Sequence, residues 1–111
     1  MYKIVVTEPA EQDLKGAISY FANELKNPTV AMDLLNDFNN KVTSLSDMPK
    51  RYKTVEDEYL ATKGIRLMTV SNYLVVYVVH DDTDTVSIIR FLYGRRDWNS
   101  ILKLDSEEVE Q

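Results

Sequence analysis

The sequence predicts an α+β domain: a first strand, a helical hairpin, a three-stranded antiparallel meander and a short closing helix. Three observations predict it. Apolar residues recur at helical spacing only within residues 14–45, β-branched and aromatic runs fill residues 64–93, and the separators between those runs, Ser71-Asn72 and Asp81-Asp82-Thr83-Asp84, have hairpin length and turn chemistry. Helices and strands segregated in this way argue for helices on one face of a sheet rather than alternating βαβ units.

The opening MYKIVVT is rich in β-branched residues, so residues 2–6 read as a strand buried on both faces. Thr7 and Glu8 before Pro9 signal a helix start, and Leu14, Ile18, Phe21 and Leu25 then recur at spacings of four, three and four. Asn27-Pro28 restarts the count, Asn as cap and Pro as first helical residue. Val30, Leu34, Phe38, Val42 and Leu45 make the apolar stripe of a second helix, and so short a turn between two helices makes a hairpin. Met48-Pro49 ends it, and residues 50–63 read as a polar connection. GIRLMTV, NYLVVYVVH and VSIIRFLY are three strands, and residues 97–102 a short closing helix.

A chain of 111 residues with 44% hydrophobic content accommodates one domain with one core. Its expected bounds are residues 1–104, with DSEEVEQ, residues 105–111, as a disordered acidic tail that buries too little to order itself. No apolar run approaches the roughly 20 residues of a membrane span, and the start lacks the basic-then-apolar layout of a signal peptide, so a cytoplasmic location is expected. The absence of cysteine excludes disulfides, thiolate zinc sites and cysteine nucleophiles. His80 is the one histidine, which excludes a multi-histidine metal centre. Leu92 stands where a calcium loop beginning at Asp81 would need its glutamate. Neither a Gly-rich phosphate loop nor a Ser-His-Asp set is present, and no metal or cofactor is expected. With four of the 18 acids in the last seven residues, residues 1–104 carry 14 acids against 13 bases. Nine of the 13 Lys and Arg fall from Lys50 to Lys103, which leaves the later part comparatively basic.

Register decides what Arg66 and Arg90 face. Pairing Val70 with Tyr73 across the first turn sets Met68 opposite Val75 and Arg66 opposite Tyr77; pairing His80 with Thr85 across the second sets Tyr77 opposite Ile88 and Val75 opposite Arg90. Arg66 and Arg90 then share a face with Met68, Tyr73, Tyr77, Ile88 and Leu92. The opposite face holds Ile65, Leu67, Leu74, Val76, Val78, Ile89 and Phe91, and this aliphatic set is expected beneath the helices. A mixed face of cations and tyrosines suits a surface that meets a partner. It requires that neither turn slip by one residue. The plainer alternatives are an ion pair of Arg90 with Glu56 or Asp57, an exposed loop for Lys50, Arg51 and Lys53, and solvated residues at a helix start for Arg95 and Arg96.

The order β-α-α-β-β-β, with GIRLMTVSNYLVVYVV and IIRFLYGRRDWNSIL, resembles the RelE/ParE superfamily, toxins of type II toxin–antitoxin systems often described as plasmid stabilisation proteins. The resemblance covers about residues 1–103, and its most specific part is Arg90, Phe91, Leu92, Tyr93, Gly94, Arg95, Arg96 and Asp97. It implies this fold, growth inhibition, a cognate antitoxin partner and a toxin–antitoxin hetero-oligomer, with no role at a membrane. It also implies one of two targets: the ribosome with its mRNA, as in RelE-type endonucleases, or DNA gyrase, as in ParE-type inhibitors. Cleaving RNA without a metal needs a base, cations at the transition state and an acid; the catalytic candidates are Arg66, Arg90, Tyr93 and Arg96. RelE-type sequences commonly follow the tyrosine of the central strand with arginine. Leu74 follows Tyr73 here, and leucine neither binds phosphate nor moves a proton. That departure and the near-neutral body point to the ParE branch and gyrase. Candidates for the target or nucleic-acid surface are Lys50, Arg51, Lys53, Arg90, Arg95 and Arg96. Those for antitoxin contact are Met68, Tyr73, Tyr77 and Trp98. A relative that only binds antitoxin is the third reading.

Overall fold

The computed structural model describes residues 1–110, with side chains through Asp105. β1 (Lys3–Val6) leads into α1 (Glu8–Ser19), a π-helical turn (Tyr20–Glu24) and α2 (Pro28–Ser44). Then come α3 (Glu58–Thr62), β2 (Arg66–Val70), β3 (Tyr73–His80), β4 (Thr85–Tyr93) and α4 (Trp98–Glu110). The strands form one sheet in the order β1-β4-β3-β2. β1 runs parallel to β4 while the other pairs are antiparallel. A parallel neighbour requires a crossover, which the α1–α2 hairpin supplies. The α+β class is the one the sequence predicts, and so is the element order apart from the π-helical turn and α3.

Local chemistry explains the boundaries. The Asn27 carboxamide oxygen accepts the Val30 N–H at 3.2 Å and starts α2 with Pro28 in its first turn. At the end of α1 the Leu25 N–H reaches back five residues to the Tyr20 carbonyl at 3.0 Å. This wider turn moves Leu25 off the apolar stripe, leaving it 50% exposed. Within residues 50–63, read from sequence as a polar connection, five residues form α3. Its N-terminus is capped by the Asp57 carboxylate on the Leu60 N–H at 3.0 Å, and Gly64 at φ +76° turns the chain out of it. A stretch as short as EYLAT carries too few turns for its period to be read.

The closing helix is longer than the expected 97–102. α4 continues to Glu110, so Asp105, placed by sequence in a disordered tail, is helical and has a partner; the side chains of the remaining tail residues lie outside the described residues.

Both faces of the sheet are covered. Beneath α1 and α2, Leu34, Phe38, Val42 and Leu45 meet Met68, Val70, Val75, Tyr77, Val86, Ile88 and Phe91. On the other side Leu60 of α3 and Leu102 of α4 meet Ile65, Val76 and Leu92. Two sequence expectations are corrected here. The helical hairpin sits on the face with Met68, Tyr77 and Ile88, not on the aliphatic face, which α3 and α4 cover instead. Polarity could not distinguish the faces, because Tyr77 buries its ring completely by donating its hydroxyl to the Pro49 carbonyl at 2.8 Å.

The second correction is a β-bulge. The register runs as expected from His80↔Thr85 to Tyr77↔Ile88, then shifts so that Val76 pairs with Arg90 and Val75 with Phe91. Ile89 has no register partner in β3. Period 2 turns this single extra residue into a change of face: Arg90 and Leu92 join the α3/α4 side and Phe91 the α1/α2 side. Arg66, opposite Tyr77, stays on the α1/α2 side. The two strand arginines therefore occupy opposite faces, and the slip arises inside the strand rather than at either turn.

Candidate functional site

Beyond Val6, β1 no longer flanks β4. A side chain takes over the strand's free edge: the Asp13 carboxylate on α1 accepts the Phe91 N–H at 3.0 Å, and its two oxygens take Arg90 Nε and Nη2 at 2.6 and 3.0 Å. Arg90 Nη1 then reaches Asp105 of α4 at 2.8 Å. Arg90 and Asp13 are 17% and 16% exposed. Hydrogen bonds to Asp13 raise the arginine's pKa well above its ordinary value, against the cost of burial. Three of its five donors are thus spent on the chain's own carboxylates, and a guanidinium neutralised in this way has less to offer a phosphate.

Arg90, expected on an open face, is instead held in an ion pair, with Asp13 and Asp105 as partners rather than Glu56 or Asp57. Asp13 was missed from sequence. A signal was present: it lies on the α1 stripe between Ala10 and Ala17, both buried, and a carboxylate on a buried stripe calls for a cation. Met68 and Tyr77 are likewise withdrawn from any surface, 1% and 0% exposed beneath the hairpin. Burial pushes the Tyr77 hydroxyl up to about 12. Trp98 opens α4 half-buried against the Leu60, Val76 and Leu92 cluster. Tyr73 is half-buried, stacked on Phe91 with centroids 4.8 Å apart and edge-on to Tyr93 at 5.6 Å.

The remaining cations form two groups. Lys50, Arg51 and Lys53 are exposed on the loop after α2. Lys50 pairs with Asp81 at 2.6 Å, and Asp81 also accepts the Tyr2 hydroxyl at 2.9 Å. The hydrogen bond to Lys50 holds the Asp81 carboxyl below its ordinary value. The Arg51 guanidinium lies 5.7 Å from the Tyr52 ring centroid and donates to Ser44, while half-buried Arg66 donates to the Tyr52 carbonyl. The second group follows β4. Gly94 N–H donates to the Asn72 carbonyl at 2.8 Å, which pins this turn against the β2–β3 hairpin. Asp97 caps α4 by accepting the Ser100 N–H at 3.3 Å. Between them Arg95 and Arg96 are exposed, with no ion pair among the described residues.

The four catalytic candidates are consequently not gathered. Arg66 sits opposite Tyr77 near the middle of β3, Arg90 is engaged on the other face, Tyr93 is the last residue of β4 and pairs with Tyr73, and Arg96 lies beyond that end. The structure instead brings together a cationic edge around Lys50, Arg51, Lys53 and Arg66, and a cationic turn at Arg95 and Arg96.

The glycine of that turn has a steric reason. A Cβ at position 94 would lie 3.1 Å from the Asn72 carbonyl oxygen. Gly94→Ala is expected to cost about 1–3 kcal/mol through this overpacking, read as a lower urea midpoint at unchanged slope. α4 is held on its other side by Asp57, which pairs with Lys103 at 2.8 Å. Lys103 and the Leu60 N–H lower the Asp57 carboxyl from 3.8 to about 2. A folded-state value below the unfolded one makes this stabilisation complete above about pH 4 and lost as pH falls toward about 2. Asp57→Asn should flatten the acid limb of a urea midpoint against pH profile in that window.

Comparison with family models gives a family, and comparison with solved structures gives a fold. The family described as the ParE toxin of the type II toxin–antitoxin system parDE matches residues 4–98. No match was found among curated proteins. Among solved structures, the chain is similar in fold to the chromosomal ParDE toxin–antitoxin system from P. aeruginosa, with a TM-score of 0.67 at 19% identity, covering 84% of this chain and 96% of that one. It is also similar to the RelBE2 toxin–antitoxin complex from Mycobacterium tuberculosis, with a TM-score of 0.57 at 21% identity and coverage of 83% and 96%. The isolated E. coli RelE toxin gives 0.58 at 18% identity, covering 99% and 97%.

Proposed function

Since the chain belongs to the ParE toxin family of type II toxin–antitoxin systems, we propose that it arrests growth in the cytoplasm by binding DNA gyrase, and that a cognate antitoxin neutralises it in a hetero-oligomer. The observation that carries the choice of target is Arg90. Its guanidinium is bound to Asp13 and Asp105 rather than open to a scissile phosphate, and Leu74 supplies no replacement cation beside it. Inhibition by binding needs an accessible charged surface but no assembled acid, base and transition-state clamp. Lys50, Arg51, Lys53, Arg95 and Arg96 are the residues proposed to meet the target. Among the described residues no helix is long and apolar enough to cross a membrane.

The test is induced expression with and without the protein of the neighbouring reading frame, followed by a supercoiling assay with purified gyrase. Growth arrest, relief by the neighbour and loss of supercoiling with intact messages are expected. Normal supercoiling with transcripts cut in translating ribosomes would move the function to RNA cleavage. Relief-competent binding without any growth defect would leave an antitoxin-binding module.

A further inference from the structure

At the Ser71-Asn72 end of the sheet, the helical hairpin and the last residues of β4 leave an open cleft of about 420 Å³, mouth included. Phe21, Tyr73 and Tyr93 form its aromatic walls, and Val30, Asp33 and Asp37 of α2 close the other side. Tyr20, outside the lining, meets Phe21 edge-on at 5.6 Å. These residues are not a buried core. Tyr20 is 50% exposed, and Val30 and Tyr93 are each 38% exposed, although Val30 heads the stripe whose later members are buried. Asp33 and Asp37, four residues apart, project from one side of α2, and both carboxylates are exposed with no hydrogen bond or ion pair among the described residues.

The cleft's chemistry selects its occupant. Ring faces carry negative quadrupole density, so they and the two carboxylates all attract a cation. An anion would be repelled, and an uncharged apolar group would desolvate two carboxylates without compensation. A planar guanidinium can stack on a tyrosine while donating to an aspartate, which an ammonium does less well. We infer that this cleft receives a basic side chain, arginine above lysine, from the antitoxin. The inference rests on the toxin–antitoxin reading, and the position of the cleft supports it. Lys50 and its partner Asp81 lie at the opposite end of the β3–β4 hairpin, and the eight residues of β3 span roughly 25 Å. A partner seated in the acidic cleft therefore lies away from the Lys50, Arg51 and Lys53 edge proposed for the target, and beside the Arg95-Arg96 turn, whose Gly94 N–H is held by the cleft's own Asn72.

The experiment compares wild type, Asp33→Asn/Asp37→Asn and Asp33→Lys/Asp37→Lys against the protein of the neighbouring reading frame by titration calorimetry. At least tenfold weaker binding is expected for the neutral pair and a larger loss for the reversed pair, at unchanged thermal midpoint. The reversed variant should arrest growth even when the neighbour is co-expressed. Wild type titrated with N-acetyl-arginine amide should show NMR shifts at the Asn72, Tyr73 and Tyr93 amides that neutral N-acetyl-citrulline amide does not produce. Binding of the Asn variant within threefold of wild type overturns the inference, as does an arginine amide titration that perturbs nothing. Concentration-dependent self-association abolished by the Asn pair would instead make the occupant a second copy. If wild type fails to arrest growth, the toxin reading falls while the amide titration still reports on the cleft.

Discussion

Arg90→Met is expected to destabilise the fold by about 3 kcal/mol, the low end of the range for breaking one side of a buried ion pair, because both side chains keep partial exposure. The loss comes from what remains: Asp13, 16% exposed, would keep its charge with only the Phe91 N–H as partner. Arg90→Met/Asp13→Asn should recover a good part of the deficit, since an amide oxygen still accepts that N–H and no charge is stranded. Urea denaturation of the two single variants and the double variant measures the coupling. The same series separates structure from function. If Arg90 acts only through folding, gyrase inhibition per folded molecule stays at the wild-type level in the double variant. A hundredfold loss in a fully folded sample would return Arg90 to the target surface.

Phe91→Ala is expected to cost about 3–5 kcal/mol. The ring is 2% exposed, meets Phe38 edge-on at 5.1 Å and stacks on Tyr73 at 4.8 Å, joining α2 to the centre of the sheet. The register read from sequence also buries Phe91, on the opposite face, so the cost alone does not distinguish the two registers. The neighbours do. Phe38→Ala should couple to Phe91→Ala by 0.5 kcal/mol or more, on the order expected for contacting residues, whereas Leu102→Ala should add to it independently.

Most of the fold was legible because turns and periods are local signals. Ser71-Asn72 and residues 81–84 fixed both hairpin registers, and the pairs Met68↔Val75, Arg66↔Tyr77 and Tyr77↔Ile88 stand as read. The bulge was not legible, since Ile89 is as strand-like as its neighbours and no glycine marks the irregularity. The group that meets the shifted strand is distant in sequence: Asp13, 78 positions before Phe91, supplies the acceptor for its N–H. The inverted faces have a similar origin. Once α3 and an extended α4 cover the second face, both faces are apolar, and composition cannot rank them. For the candidate site, the exposed cations of the loop and the turn were identified from residue type alone. The acidic aromatic cleft was not, because it joins four segments separate in sequence, around Phe21, Val30 to Asp37, Ser71 to Tyr73, and Tyr93.

A carboxylate standing in for a strand also makes one amide a selective reporter. Hydrogen exchange at Phe91 is gated by departure of α1 from the sheet edge, while the amides paired between β3 and β4 wait for the hairpin itself to unzip. If the N-terminal helix lifts away before the sheet melts, Phe91 will exchange early among the residues of its strand, and antitoxin docking that clamps the helices will slow it selectively.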